Sequence, residues 1–319
     1  MRDGFGRTIN YMRISLTDRC NLRCCYCRSE RQQLLPHSAI LTYEEILKIC
    51  QIAVELGIRR FRVTGGEPLV RRDCIKFLRL LKNLPGAEQV SLTTNGTLLH
   101  SSLSELQQLG LDSINISMDT LDRQRYAQLT GADLLPEVLS SVQAARKNGL
   151  KVKINCVPLD TMSEQDLLAM TDFAAKLQIP IRFIELMPLG CNQSLQGLSG
   201  ETVRSILAKH GRQLLPDQGK YGSGPAVYYR ETETNALIGF IQPLHGKFCA
   251  ACNRVRLTAT GFLKTCLYSD QGLDLRRLLR SGKDENFLRQ EMLRVIKDKP
   301  DGHHFLQAPA AFTMNEIGG

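Results

Sequence analysis

Six short runs alternate residue by residue between apolar and polar side chains, and stretches of helical periodicity separate them. The runs span 11–17, 60–64, 89–94, 113–118, 151–157 and 181–186. Helical patterns cover about 42–55, 73–83, 102–109, 136–148 and 163–178. Thr42 stands as an N-cap ahead of Glu44 and Glu45, and Gly57, Gly110 and Gly149 stand where helices end. Strand followed by helix, six times over, predicts parallel strands joined by crossover helices. Six units fall short of the eight that close a barrel. The expected fold is therefore α/β, a partial (β/α)6 TIM-like barrel.

Buried parallel strands usually read as near-continuous apolar runs. Here five strands carry a polar face instead, made of Arg13 and Ser15, Arg62 and Thr64, Ser91 and Thr93, Asn115 and Ser117, then Lys153 and Asn155. The opposite face holds Ile14, Val63, Leu92, Ile114, Ile116 and Ile154, which suit packing under helices. Five polar faces in one sheet imply a lumen built for a polar ligand. A solvated sheet face is the alternative, and the intervening helices argue against it. The sixth run puts Arg182 and Glu185 on opposite faces, so the pattern does not orient it.

Directly after the first run stand Cys20, Cys24 and Cys27, at C-x3-C-x2-C spacing, on a loop at the C-terminal end of a strand. A four-iron cluster has four iron corners and takes thiolates as its usual ligands. Three thiolates leave one iron open to a small molecule. A structural zinc ion wants four N or S ligands. No histidine or fourth cysteine follows at suitable spacing, and Cys25 lies inside the motif. Beyond about 190 the periodic pattern stops, giving a loop (190–200), a short helix near 201–210 and a Gly-rich stretch at 219–225. Then come Cys249, Cys252 and Cys266, again three, as C-x2-C-x13-C. His245 could complete a zinc site here, while a second open cluster fits better beside the first. Arg254 and Arg256 follow the pair; they read as a solvated strand face or as forked donors for phosphate or a purine.

Eleven cysteines in a chain whose first residues show no apolar leader favour a reducing cytoplasm and metal ligation over disulfides. No apolar run approaches the ~18 residues that span a bilayer. The net charge of +9 raises the question of nucleic acid. The basic residues are dispersed and Trp is absent, so a basic pocket for a small polyanion accounts for the excess. Neither nucleic acid nor membrane is expected as a partner. Cys50 and Cys156 read as core. Cys74 and Cys191 have no evident partner, and His303-His304 read as a solvated pair.

With Tyr26 before the last cysteine, the first motif resembles that of the radical S-adenosylmethionine (SAM) superfamily. Gly65-Gly66-Glu67-Pro68 resembles the glycine-rich motif that meets the SAM amino group there. Both three-cysteine sets together with Asn253-Arg254-Val255-Arg256 resemble one family closely, the GTP 3′,8-cyclases of molybdenum cofactor biosynthesis. The likeness runs from Arg13 to Gly318-Gly319; one departure is Arg28-Ser29, where members often have Met-Pro.

The resemblance implies two [4Fe-4S] clusters and a division of the chain. Residues 1–190 would form a radical SAM partial barrel, and 191–319 a C-terminal extension carrying the second cluster and a Gly-Gly tail. Cys20, Cys24 and Cys27 would hold the cluster that cleaves SAM to a 5′-deoxyadenosyl radical, with Tyr26, Gly66, Glu67, Ser117 and Met187 contacting SAM. Cys249, Cys252 and Cys266 would hold a cluster that binds the guanine. Arg13, Arg62, Thr93, Lys153, Arg182, Arg254 and Arg256 match GTP-binding positions. The radical would take hydrogen from ribose C3′, and the carbon radical would add to C8 to give the 3′,8-cyclised dihydro-GTP. Gly318 and Gly319 would support catalysis. Implied partners are GTP, an electron donor such as a flavodoxin or ferredoxin, and a downstream cyclic pyranopterin monophosphate synthase. Monomer and homodimer both stay open. A radical SAM peptide maturase with auxiliary clusters would share the cysteines without needing the Arg254/Arg256 pair. A zinc-bearing RNA-binding protein is the reading outside catalysis.

Overall fold

The computed structural model describes residues 1–27, 34–189, 194–246, 248–303, 313, 314 and 316–318. Arg28, Ser29, Cys191, His304 and Gly319 lie outside the described residues, as does part of the 190–200 loop. The six alternating runs are strands β1 (Tyr11–Ser15), β2 (Arg60–Thr64), β3 (Gln89–Thr94), β4 (Ser113–Ser117), β5 (Val152–Cys156) and β6 (Ile181–Ile184). Each pairs in parallel with the next. Between them run α1 (Tyr43–Glu55), α2 (Cys74–Lys82), α3 (Leu103–Leu109), α4 (Arg123–Thr130), α5 (Leu135–Lys147) and α6 (Glu164–Leu177). The N-terminus of α1 is a capping box: Thr42 Oγ1 accepts from the Glu45 N–H, and the Glu45 carboxylate accepts from the Thr42 N–H. Helix α4 has no counterpart in the sequence pattern, because it buries only Tyr126 and Thr130 and is otherwise polar.

Past residue 190 the chain is more regular than its periodicity suggests. It forms α7 (Gly200–Lys209), β7 (Leu214–Asp217), β8 (Val227–Glu231), β9 (Leu237–Ile241), β10 (Arg254–Leu257), β11 (Phe262–Lys264), β12 (Gly272–Asp274), α8 (Leu275–Arg280) and α9 (Glu285–Lys297). Of these only α7 was expected. The two innermost additions join the barrel sheet itself. Strand β10 lies parallel to β1 and β9 parallel to β6. The sheet order is β12-β11-β10-β1-β2-β3-β4-β5-β6-β9-β8-β7, so eight neighbouring strands run parallel and an antiparallel hairpin edges each side.

The helix-facing residues Ile14, Val63, Leu92, Ile114, Ile116 and Ile154 are all fully buried. Each such side chain contributes about 1.5–3 kcal/mol relative to exposure. Opposite them, strand register carries the polar residues into continuous rows. Arg256 faces Arg13, Arg13 faces Arg62, and Arg62 faces Ser91. Thr93, Asn115 and Lys153 stand in line, as do Ser117, Asn155 and Arg182. This register orients the sixth strand: Arg182 belongs to the polar row. Among the described residues, no helix is long and apolar enough to cross a membrane.

Candidate active site

The polar rows range from half-buried, at Arg13, Arg62, Thr93, Ser117 and Asn155, to buried. Lys153, Arg182 and Arg256 are 9%, 6% and 9% exposed. Arg62 Nε donates to the Tyr11 hydroxyl at 2.5 Å, Asn115 Nδ2 to Thr93 Oγ1 at 3.4 Å, and Arg182 Nη2 to Asn155 Oδ1 at 2.5 Å. Lys153 Nζ donates to the Tyr221 carbonyl. Four buried polar atoms on this face have no protein partner: Arg13 Nε, Arg256 Nη1, Arg182 Nε and Asn115 Oδ1. Burial, then repulsion from Arg182 and Arg62, depresses Lys153 to about 7. Burial and the neighbouring arginines likewise lower Arg13, Arg182, Arg254 and Arg256. Burial pushes the Tyr11 phenol up, but Arg62, Arg13 and Arg254 outweigh it and leave it below the ordinary value. Buried cations with idle donors are costly. A bound polyanion with several acceptor oxygens relieves both costs.

The first cysteine loop crosses the C-terminal end of this lumen. Helix α4 supports it: Arg23 N–H donates to the Thr130 carbonyl at 2.7 Å and Cys25 N–H to the Leu129 carbonyl at 2.9 Å. Cys20 Sγ accepts from Leu22 N–H at 3.4 Å and from Asn95 Nδ2 at 3.8 Å. Burial raises the Cys24 thiol, and Cys27, Asp119, Cys20 and Cys25 raise it further, which places the three motif thiols within electrostatic reach of one another. Tyr26 is tied to Asp119, whose Oδ1 accepts from Val157 N–H at 2.8 Å. Gly66 N–H donates to the Thr17 carbonyl at 2.7 Å. A side chain at Gly65 would meet that same oxygen at 2.9 Å, so the close approach of the two loops requires glycine. Glu67 is fully buried and accepts from Leu69 N–H, Thr94 Oγ1 and Asn95 N–H at 3.0, 2.8 and 2.7 Å. Burial lifts its carboxyl to about 7 against those bonds. Ser117 ends β4, and Met187 follows β6.

The second set stands at the foot of β10. Cys249 opens a helical turn (Cys249–Ala251), Cys252 precedes β10 and Cys266 follows β11. The backbone at His303 favours the charged form of Cys249, and that at Arg254 the charged form of Cys252. Burial pushes Cys252 up, but Lys299, Arg254 and Arg7 outweigh it and favour thiolate. In each set, sulfurs with backbone groups that favour thiolate and no competing disulfide suit the thiolate ligation of an iron–sulfur cluster. Among the described residues, no three His, Cys, Asp or Glu side chains gather as a single metal ion requires. The ring of His245, the candidate fourth zinc ligand, pairs through Nδ1 with Glu185, which also accepts from the Leu244 N–H at 2.7 Å.

The tail also reaches the lumen rim. Ile317 is buried against Leu189, with Met187, Leu244 and Leu267 around them. Gly318, at φ +78°, offers its carbonyl to Thr64 Oγ1 at 3.3 Å. A side chain at Gly318 would stand 2.8 Å from Ser15 Cβ. Ser15 and Thr64 end β1 and β2, so Gly318 lies over the mouth of the lumen. Two further groups belong to the site, Asp119 and Tyr11. Asp119 closes the Ser117-Met118-Asp119 run that stands out in sequence at the C-terminal end of the fourth strand. Tyr11 shares the parity of Arg13 and falls on the polar face by the same alternation.

Several known proteins share this architecture. The Radical SAM superfamily profile matches residues 14–174, and a Molybdenum Cofactor Synthesis C profile matches 179–305. The crystal structure of Streptococcus suis SuiB bound to S-adenosylmethionine superposes with a TM-score of 0.64 at 14% identity, covering 96% of this chain and 76% of that one. HydG, a maturase of the [FeFe]-hydrogenase, gives 0.52 at 18%, covering 63% and 49%. At such identities the likeness is one of fold. Fold and profile together make this chain a radical SAM enzyme. Its sequence is 39% identical to the GTP 3′,8-cyclase of Thermodesulfovibrio yellowstonii over 324 residues, 100% of both chains. It is 42% identical to that of Paracoccus denitrificans over 307 residues, 95% of this chain and 89% of the other. The chain belongs to the GTP 3′,8-cyclase family.

Proposed function

We propose that this chain converts GTP to (8S)-3′,8-cyclo-7,8-dihydroguanosine 5′-triphosphate, an early step of molybdenum cofactor synthesis, with SAM as radical source. The observation that carries the reading is the set of cations on the polar sheet face, with idle buried donors on Arg256, Arg13 and Arg182. A nucleoside triphosphate supplies the negative charge and the acceptor oxygens that this set lacks. Arg13, Arg62, Lys153, Arg182, Arg254 and Arg256 bind it, and Thr93 adds a hydroxyl. Forked guanidiniums suit phosphate oxygens better than ammonium groups do.

Cys20, Cys24 and Cys27 hold one [4Fe-4S] cluster, and Cys249, Cys252 and Cys266 a second. The first cluster supplies the electron for reductive cleavage of SAM. Tyr26, Gly66, Glu67, Ser117 and Met187 orient SAM at the rim, and Gly318 and Gly319 support catalysis. The division at residue 190 then separates SAM handling from the part that brings the second cluster to the nucleotide. The reductant is a small electron carrier such as a flavodoxin or ferredoxin, the product passes to a cyclic pyranopterin monophosphate synthase, and the setting is the cytoplasm.

The test is anaerobic incubation with SAM, reductant and each nucleoside triphosphate in turn, read by chromatographic separation of product from substrate together with product mass. GTP alone should yield a product isomeric with itself. Cys24→Ala should abolish SAM cleavage, whereas Cys252→Ala should keep some 5′-deoxyadenosine formation and lose the cyclised nucleotide. Full turnover by either variant refutes the assignment.

A further inference from the structure

Arg7 differs from Arg13, Arg182 and Arg256 of the lumen in having no idle donor. It is 8% exposed, and all five of its guanidinium N–H groups are engaged. Nε donates to Asp3 Oδ2 at 2.6 Å. Nη1 donates to the carbonyls of Cys249 and Asp301 at 3.1 and 2.8 Å, and Nη2 to those of Lys299 and Pro300 at 3.3 and 2.6 Å. One side chain from the start of the chain thus binds a cysteine of the second set and three successive carbonyls from near the chain's other end.

Those three carbonyls belong to a segment that touches the other parts of the same set. Lys299, 2% exposed, donates through Nζ to the carbonyl of Thr265, the residue before Cys266. Gly302 packs so close that a side chain there would lie 3.7 Å from Cys249 Cβ. Asp3 is held in turn, its Oδ1 accepting from Phe5 N–H and Arg7 N–H at 3.0 and 2.9 Å. A lysine has too few donors, on too narrow a head, to span four carbonyls.

We propose that Arg7 is a positioning residue for the second cysteine set: its guanidinium fixes Cys249 against the 299–303 segment, so that the three sulfurs present one preformed ligand face. It touches neither SAM nor nucleotide. The inference rests on the reading that Cys249, Cys252 and Cys266 hold a cluster.

The experiment compares full-length wild type with Arg7→Lys, Asp3→Asn and Cys252→Ala, each purified anaerobically. Iron per chain, the paramagnetic spectrum with and without GTP, and 5′-deoxyadenosine formation are measured on each. Arg7→Lys should lose about half of the roughly eight irons of a two-cubane chain, together with the GTP-dependent change in the spectrum. Its 5′-deoxyadenosine formation should stay within about twofold of Cys252→Ala. Asp3→Asn keeps the four carbonyl bonds and should lose less iron while still broadening the GTP-dependent signal. If Arg7→Lys keeps full iron and an unchanged GTP-dependent spectrum while Cys252→Ala does not, the positioning role is wrong and the cluster reading stands. If Cys252→Ala itself changes neither, the cluster reading has failed instead. Loss of both clusters and of SAM cleavage in Arg7→Lys makes the residue a general fold determinant and overturns the proposal as well.

Discussion

The Tyr26 hydroxyl donates to Asp119 Oδ2 at 2.5 Å, a bond between the cysteine loop and the segment just beyond β4. Asp119 is buried, and burial lifts its carboxyl to about 6 even though Tyr26 and the Val157 N–H both favour the charged form. Tyr26→Phe strands one carboxylate oxygen in a dry site. An unsatisfied buried acceptor costs about 1–3 kcal/mol, and denaturant unfolding at pH 8 should show a loss of that size. Because both residues share one bond, the double variant with Asp119→Asn should lose less than the sum of the singles. Strict additivity would mean that the bond contributes nothing.

Removing an idle cation from the lumen should separate binding from folding. Arg256→Gln gives up one charge-assisted contact, about 1.5–3 kcal/mol, or roughly ten- to a hundredfold in GTP affinity. The unliganded protein loses a buried guanidinium with an unpartnered Nη1, so its melting temperature should hold or rise. Calorimetric titration and thermal melting check the two halves. Weaker folding with unchanged affinity would make Arg256 a structural residue.

Lys153 sets a pH dependence on nucleotide binding. Its folded value of about 7 lies below the ordinary 10.5. Between those values the unfolded chain binds more protons at this site than the folded one, so the site's contribution to stability rises with pH across that window. Triphosphate beside the amine reverses the shift, so binding takes up protons. At pH 8 the uptake should approach about 0.9 proton, and affinity should fall towards tenfold per pH unit above 7. Titration calorimetry in two buffers of different ionisation enthalpy measures the uptake directly. Equal heats in both buffers, or the same uptake in Lys153→Met, would rule the residue out.

The tail prediction follows from one torsion angle and one contact. Gly318 sits at φ +78°, and a Cβ there would overlap Ser15. Gly318→Ala should therefore unseat the tail while leaving iron content and melting temperature essentially intact. Formation of the cyclised nucleotide should drop sharply, more than SAM binding does, and deletion of Gly318 and Gly319 should do the same. Turnover at the full-length rate in either variant would mean that the tail's position over β1 and β2 is incidental.

The barrel strands were legible because each presents period-two alternation between clear helix signals, as Arg13/Ile14/Ser15 and Arg62/Val63/Thr64 do. The C-terminal strands were not, since β7 to β12 run only three to five residues and too few positions exist to establish a period. Arg254 and Arg256 could be named as a pair, but their place beside Arg13 depends on β10 choosing β1 as its neighbour. No local signal encodes that choice. Arg182 was ambiguous for a related reason: Glu185 falls on the opposite face of the same run, and pairing with β5 is what assigns Arg182 to the polar row. Helix α4, with Arg123, Gln124 and Arg125 in its first turn, offers almost no apolar stripe, yet its C-terminal carbonyls hold the cysteine loop.

Because β10 and β9 cap the two sides of the six-strand sheet, the order of synthesis imposes an order of assembly. A nascent chain that has emerged only to residue 190 has both β1 and β6 as open edges, with rows of unpaired N–H and C=O groups ready to accept a stranger's strand. It also exposes Arg13 and Arg62 in a half-built lumen, and Arg7 keeps only Asp3 among its partners. Closure of both edges therefore waits on residues beyond 190, where β9 covers β6 and β10 covers β1. A frameshifted or truncated product would lack more than its second cysteine set: it would be a sticky sheet.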